Sequence, residues 1–150
     1  MAGNYSNTGS WVPNVYSGGL RNVGAFRVSG TPWITGSTIT GNSAGIGGED
    51  GEDLVQFPYV TKSIMITRVT AAEDIRVHFA AKAEGNTYAN KHYLSLSSND
   101  QTITLNVKCK EIYLSIASAG TNTGVYELFA ELTNIPTSSM FDLTGSGITA

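Results

Sequence analysis

Between residues 54 and 134 large apolar side chains recur at every second position. In DIRVHFA, Ile75, Val77 and Phe79 fall on one side, and Arg76, His78 and Ala80 on the other. In QTITLNV, Ile103, Leu105 and Val107 oppose Thr102, Thr104 and Asn106. In KEIYLSI, Ile112, Leu114 and Ile116 alternate with Glu111, Tyr113 and Ser115. In GVYELFAEL, Tyr126, Leu128, Ala130 and Leu132 oppose Val125, Glu127, Phe129 and Glu131. KSIMITRV and HYLSL keep the same rhythm, and LVQFPYV reads as a further strand. An extended chain imposes this period because successive side chains point to opposite faces. No window of helical length holds a three-to-four spacing. AAKAEGNTYANK (80–91) contains helix formers, but Gly85 and Asn86 interrupt them, so it reads as a long loop. SSND and ASAGTNTG supply turn chemistry between strands. Short strands with no crossover helices predict an all-β, antiparallel β-sandwich or jelly-roll-like domain.

The flanks break the rhythm. Residues 1–53 are rich in Gly, Ser, Thr and Asn, with large apolar residues set singly among them. Residues 24–29 and 33–40 read as further strands packed on the sandwich. The chain before them has no period and little to bury within itself, so it reads as an extended N-terminal arm. Such an arm holds to a partner by adding a strand to a sheet edge and seating aromatic side chains in pockets. Trp11, Val12, Tyr16, Leu20, Phe26 and Trp33 are the candidate partner-binding anchors. From Ile135 and Pro136 onward the chain is again irregular. The expected organisation is an arm over 1–22, a sandwich over 23–134 and a C-terminal tail over 135–150.

Composition sharpens this picture. Charged residues make up 14% of the chain, against about 25% in an average soluble domain. Seventeen Thr and fifteen Ser provide much of the polarity instead. A hydroxyl-rich, charge-poor surface suits lasting contact with other protein, whereas a free monomer usually carries more charge. The net charge of −3 argues against a nucleic-acid partner. No apolar run approaches the roughly 18 residues of a membrane span. One cysteine, Cys109, excludes an intrachain disulfide. The opening MAGNYSNTGS lacks the basic and apolar blocks of a signal peptide.

Candidate chemistry is sparse. GIGGEDGED (45–53) puts Glu49, Asp50, Glu52 and Asp53 within five positions. An EF-hand register starting at Glu49 meets Gly51 at its third position, and one starting at Asp50 meets Leu54 at its fifth, so neither fits. Blocks of like charge without ligand spacing are usually solvated, and the stretch reads as a wet loop before LVQFPYV. His78 lies opposite the Ile75–Val77–Phe79 face and so points to solvent or a partner. With His92 and one cysteine it forms no metal-ligand spacing. Cys109, between Lys108 and Lys110, has no Gly-rich elbow and reads as a buried structural thiol. Lys108, Lys110 and Arg76 together read as rim contacts. No catalytic, cofactor-binding or metal-binding residue is assigned, and no cofactor is expected.

Several segments carry a resemblance: RVSGTPWITGS (27–37), FPYVTKSIMI (57–66), IRVHF (75–79), KHYLSL (91–96), NVKCKEIYL (106–114) and YELFAELTNIPTSSMFDLTGSGIT (126–149). In wording they resemble small virion structural proteins of tailed bacteriophages of marine bacteria and cyanobacteria. The resemblance implies a non-enzymatic role in the virion, foremost as a capsid decoration or cement protein clamping major capsid subunits. It implies major capsid protein or other virion proteins as partners and a homo-oligomer, for which a trimer suits a local threefold axis. It carries over no functional residues. Two other readings stand beside it. One is a tail, neck or fibre component binding a receptor or glycan through Tyr88, Tyr93 and Tyr113. The other is a small hydrolase dependent on Cys109.

Overall fold

The computed structural model describes residues 19–27, 29–41, 51–82, 91–117 and 121–143. Trp11, Val12, Tyr16, Glu49, Asp50, Tyr88 and most of the 80–91 stretch lie outside these residues. One helical turn and eight strands follow in order: α1 Val23–Arg27, β1 Thr31–Thr40, β2 Glu52–Gln56, β3 Tyr59–Ala71, β4 Ile75–His78, β5 Leu94–Leu96, β6 Thr102–Leu105, β7 Glu111–Ile116 and β8 Thr123–Pro136. A 3₁₀ turn, Thr137–Ser139, comes after β8. β8 therefore runs through position 134 without a break.

The strands make two four-stranded antiparallel sheets, β1-β8-β3-β6 and β2-β7-β4-β5. The chain is an all-β sandwich. Pro58 explains how LVQFPYV feeds both sheets. Proline has no N–H for a ladder, so β2 stops at Gln56 and the chain crosses before β3 begins at Tyr59.

The alternation read from sequence sets the core. Ile64 lies opposite Ala130, and Ile66 opposite Leu128, on the inner face of the first sheet. Ile75, Val77, Ile112, Leu114 and Ile116 face them from the second, all buried. Full burial of one such side chain contributes about 1.5–3 kcal/mol. The sheets approach closely at Gly124, where an added Cβ would lie 3.0 Å from Ile116 Cγ2 and 3.2 Å from Ile75 Cγ1. On the β6 and β5 side, a shift in the β3–β8 register near Arg68 accompanies an inward-turned guanidinium. It donates to the carbonyls of Leu96 at 3.0 Å and Ala71 at 2.8 Å, and so links the two sheets.

Where a strand was expected over 24–29, residues 24–27 belong to α1. Asn22 Oδ1 accepts the N–H of Gly24 at 2.9 Å, and the Asn22 carbonyl accepts the N–H of Ala25. This side-chain cap starts the single turn of α1, and Ala25 and Phe26 pack beneath it. Residues 33–40 do form a strand, extended by two residues to Thr31.

Candidate functional site

The two ends of the described chain meet at one pole of the sandwich. Val60 near the start of β3 and Ile135 near the end of β8 form a small buried cluster with Met140. Leu20, Ala25 and Phe26 pack on it from the N-terminal side, and Leu143 from the C-terminal side. The connector between β6 and β7 ties both in place. Lys108 Nζ donates to the Leu20 carbonyl at 2.6 Å and sits 4.1 Å from the centre of the Phe26 ring. Lys110 pairs with Asp142. The connector is itself stitched to β3, because Thr61 Oγ1 donates to the Val107 carbonyl at 2.7 Å and accepts the Cys109 N–H at 3.1 Å. Of the expected anchors, Leu20 and Phe26 thus contact their own chain. Trp33 packs edge-on against Phe57 at 5.2 Å. Arg76 is not in a patch with the two lysines. On β4, opposite Ser115, it lies over the Tyr93 ring, 4.5 Å from its centre.

The acidic stretch before Leu54 is not a wet loop at its C-terminal end. Glu52 and Asp53 belong to β2 and are 0% and 1% exposed. Asp53 shares the inward phase of Val55 and accepts the Tyr126 hydroxyl at 3.2 Å. Burial first, then the Asp53 carboxylate, push the Tyr126 phenol well above its ordinary pKa. Glu52 points to the opposite face, where its carboxylate accepts the Lys82 N–H at 2.9 Å.

His78 lies beside Glu52 and is buried, contrary to the solvent-facing position expected from alternation. It does project from the outer face of the second sheet. There Tyr113 stacks on its ring at 5.8 Å with a 12° interplanar angle. Nδ1 is 2.7 Å from the Ala80 carbonyl, which can only accept, so Nδ1 carries the proton. Nε2 therefore accepts the Ser115 hydroxyl at 2.8 Å. Burial lowers the His78 pKa to about 4 against the raising effect of the Ala80 bond, with Lys82 and Arg76 lowering it further. The ring is neutral at physiological pH.

Ser115, His78 and Glu52 have the composition of a nucleophile–base–acid triad, but their geometry is that of a structural network. The Glu52 carboxylate is 3.8 Å from Nδ1, whose proton is already given to Ala80. All three side chains are fully buried, so no substrate atom reaches Ser115. Cys109 is buried, as read from sequence, and desolvation raises its pKa to about 11 despite the Thr61 hydrogen bond. A nucleophilic thiol needs exposure and a lowered pKa. Among the described residues, no group of three or more His, Cys, Asp or Glu side chains comes together as a metal site.

The outer face of the first sheet is open. Ile34 on β1, Phe129 on β8 and Met65 on β3 lie opposite one another in one cross-strand row. Ile34 is 74% exposed and Met65 40%. Gly36, Glu127 and Thr67 form the next row, and the two rows line a shallow groove. This is the one outward-facing row of three large apolar side chains among the described residues of that face.

No protein-family model matches the chain, and no curated protein matches it. No helix among the described residues is long and apolar enough to cross a membrane.

Sequence reasoning missed the Glu52–His78–Ser115 network and the Ile34–Phe129–Met65 row. The row had a signal: outward positions of GVYELFAEL and KSIMITRV hold Phe129 and Met65, where a solvated face would hold polar residues. Asp53 had one too, since it lies two residues before Val55. The burial of His78 goes with contacts to Ala80, Tyr113 and Ser115 that no local pattern announces.

Proposed function

We propose that this chain is a non-enzymatic structural protein of a bacteriophage virion, foremost a capsid decoration protein. The observation that carries the proposal is the strand pairing. β1 pairs with β8, β2 with β7, β3 with β6 and β4 with β5, the nested order of one long hairpin rolled into two sheets. This supports a jelly-roll reading of the sandwich, an architecture of viral capsid and lectin domains. Fold alone does not give function, so the site must add to it. Here His78, Ser115 and Cys109 are buried, whereas one sheet face carries an exposed apolar row.

In this role the pole built on Val60, Ile135 and Met140 anchors the segments that precede Gly19 and follow Leu143. Both segments start from the same end of the sandwich, so both can engage neighbouring shell subunits while the sheets stand above them. Trp11, Val12 and Tyr16 remain the anchors of the N-terminal segment. A clamp that binds the assembled shell stabilises it by mass action, and many symmetric copies multiply a modest contact. The low charge of the chain suits such contact.

Quantitative mass spectrometry of purified virions tests the proposal. Copy number in a simple ratio to the major capsid protein is expected. A few dozen copies would move the protein to the tail, neck or fibre, and absence from the particle would overturn the virion reading. Removal of residues 1–18, which keeps Leu20 in its cluster, is expected to abolish particle binding and leave the melting temperature unchanged. A glycan-binding fibre module is the second reading. It is favoured by Tyr93 and Tyr113, which flank β4 on the second sheet beside Arg76 and His78.

A further inference from the structure

β1 is an edge strand of ten residues, TPWITGSTIT, with no charged side chain. Its register with β8 is unbroken from Thr31↔Leu132 to Thr40↔Thr123, whereas β3 shifts three times against β8. Edge strands of soluble proteins are usually shortened, bulged or charged to prevent pairing with another chain. β1 has none of these protections apart from Pro32 near its start.

The hydrogen-bond phase shows which groups β1 offers. Gly41 donates its N–H to the Asn122 carbonyl at 3.0 Å. By alternation, the odd-numbered residues turn their backbone groups to β8, and Pro32, Ile34, Gly36, Thr38 and Thr40 turn theirs outward. Pro32, which has no N–H, falls in the outward phase, where a ladder with β8 loses nothing.

We propose that β1 is a homodimer interface: two copies pair their β1 strands antiparallel about a two-fold axis at Thr35 and merge their first sheets. An isologous contact requires a surface that is its own complement. β1 meets this requirement. The register sets Ile34, 74% exposed, opposite the partner's Gly36, which has no side chain to compete. The protruding residue and the flat one are two positions apart, the spacing that an axis at Thr35 needs. An axis at Gly36 would set glycine against glycine and leave the flat position unfilled. In the register about Thr35, Ile34 and Gly36 exchange backbone bonds with their counterparts, and Thr38 donates to the partner's Pro32. No like charges meet across the axis, because Glu127 and Glu131 stand one strand away on β8. The Ile34–Phe129–Met65 rows of the two copies become neighbours on one continuous outer face. This inference does not rest on the virion role.

The test uses the full chain in solution. Sedimentation of the wild-type protein across concentration is expected to show a monomer–dimer equilibrium. Thr35 is opposite its own counterpart in a non-hydrogen-bonded pair, with Cα atoms about 4.5 Å apart. Oxidised Thr35→Cys is therefore expected to form an intermolecular disulfide. Ser37→Cys, opposite the partner's Trp33, is expected to form none, and buried Cys109 takes no part. Ile34→Lys and Thr38→Pro are each expected to weaken the dimer at least tenfold. Thr38→Pro removes an outward N–H without touching the bonds to β8. A monomer at every concentration, a dimer undisturbed by both substitutions, or equal cross-linking of Ser37→Cys would overturn the proposal.

Discussion

Replacing His78 by glutamine should remove a specific share of the acid sensitivity of the fold. The unfolded histidine takes up its proton near pH 6.5, while the buried ring of the native state resists protonation down to about 4. Between these values the unfolded chain binds more protons than the native one, so stability falls as pH falls. Above pH 6.5 both states are neutral and the effect vanishes. Below pH 4 both are charged and it levels off. The separation of about 2.5 pH units corresponds to about 3 kcal/mol, at 1.36 kcal/mol per unit. That is a large part of the 5–15 kcal/mol typical of a domain. The groups that face the ring are Glu52 from β2, Tyr113 and Ser115 from β7, Arg76 from β4, and Lys82 after it. Urea unfolding at intervals from pH 8 to pH 3.5 measures the effect in wild type and in His78→Gln. The variant should be less stable at pH 7, because Ser115 and Ala80 lose their imidazole partner. Its stability should decline less between pH 6.5 and 4, so the two curves converge by about 3 kcal/mol. Repeating both in a Glu52→Gln background separates the titration of the neighbouring carboxylate. Parallel curves over that interval would refute the assignment of a buried neutral imidazole.

Two further outcomes follow from the buried polar groups. Cys109, with its pKa raised from 9.0 to about 11, should hold about 100-fold less thiolate than a free thiol at neutral pH. A thiol reagent at pH 8 should leave the folded protein unlabelled and modify one thiol per chain in guanidinium; rapid labelling of the folded form would revive the cysteine-hydrolase reading. Tyr126→Phe withdraws the hydroxyl from Asp53 inside the core and should lower stability by about 1–3 kcal/mol, read as the shift in urea midpoint at unchanged slope; an unaltered midpoint would mean that the Asp53–Tyr126 bond contributes nothing net.

The fold class could be read from the sequence because inner faces repeat every second residue. Ile112, Leu114 and Ile116, or Tyr126, Leu128 and Ala130, have no other way to meet a common core. The site could not be read in the same way. Alternation places His78 on the outer face and says nothing about what lies over that face. There the ring bonds to Ala80 and Ser115, stacks on Tyr113 and is fully buried. The charge cluster misled for a related reason. Carboxylates usually avoid burial, so four of them in five positions read as solvated. Yet Asp53 has Tyr126 and Glu52 has the Lys82 N–H, partners 73 and 30 residues away in the chain. The helical turn at Val23 escaped because five residues are too few for a period, and its signal was the Asn22 cap alone.

The two outer faces of the sandwich are used differently, and that asymmetry bears on function. On the second sheet, Glu52, His78 and Ser115 are buried, and Arg76 and Tyr93 stack on each other. Polar side chains there are consumed by bonds within the molecule. On the first sheet the order is reversed, since Ile34, Met65 and Phe129 face outward with no segment of the described chain laid across them. The same sheet ends in β1, whose outward carbonyls and N–H groups have no partner in the register of either sheet. Buried polar networks fix a unique arrangement when every member is satisfied, whereas exposed apolar rows and open strand edges favour association. The buried polar network therefore lies on the second sheet, and the open apolar row and strand edge lie on the first. The proposed β1 pairing draws on that asymmetry, because it joins two first sheets and leaves both second sheets untouched.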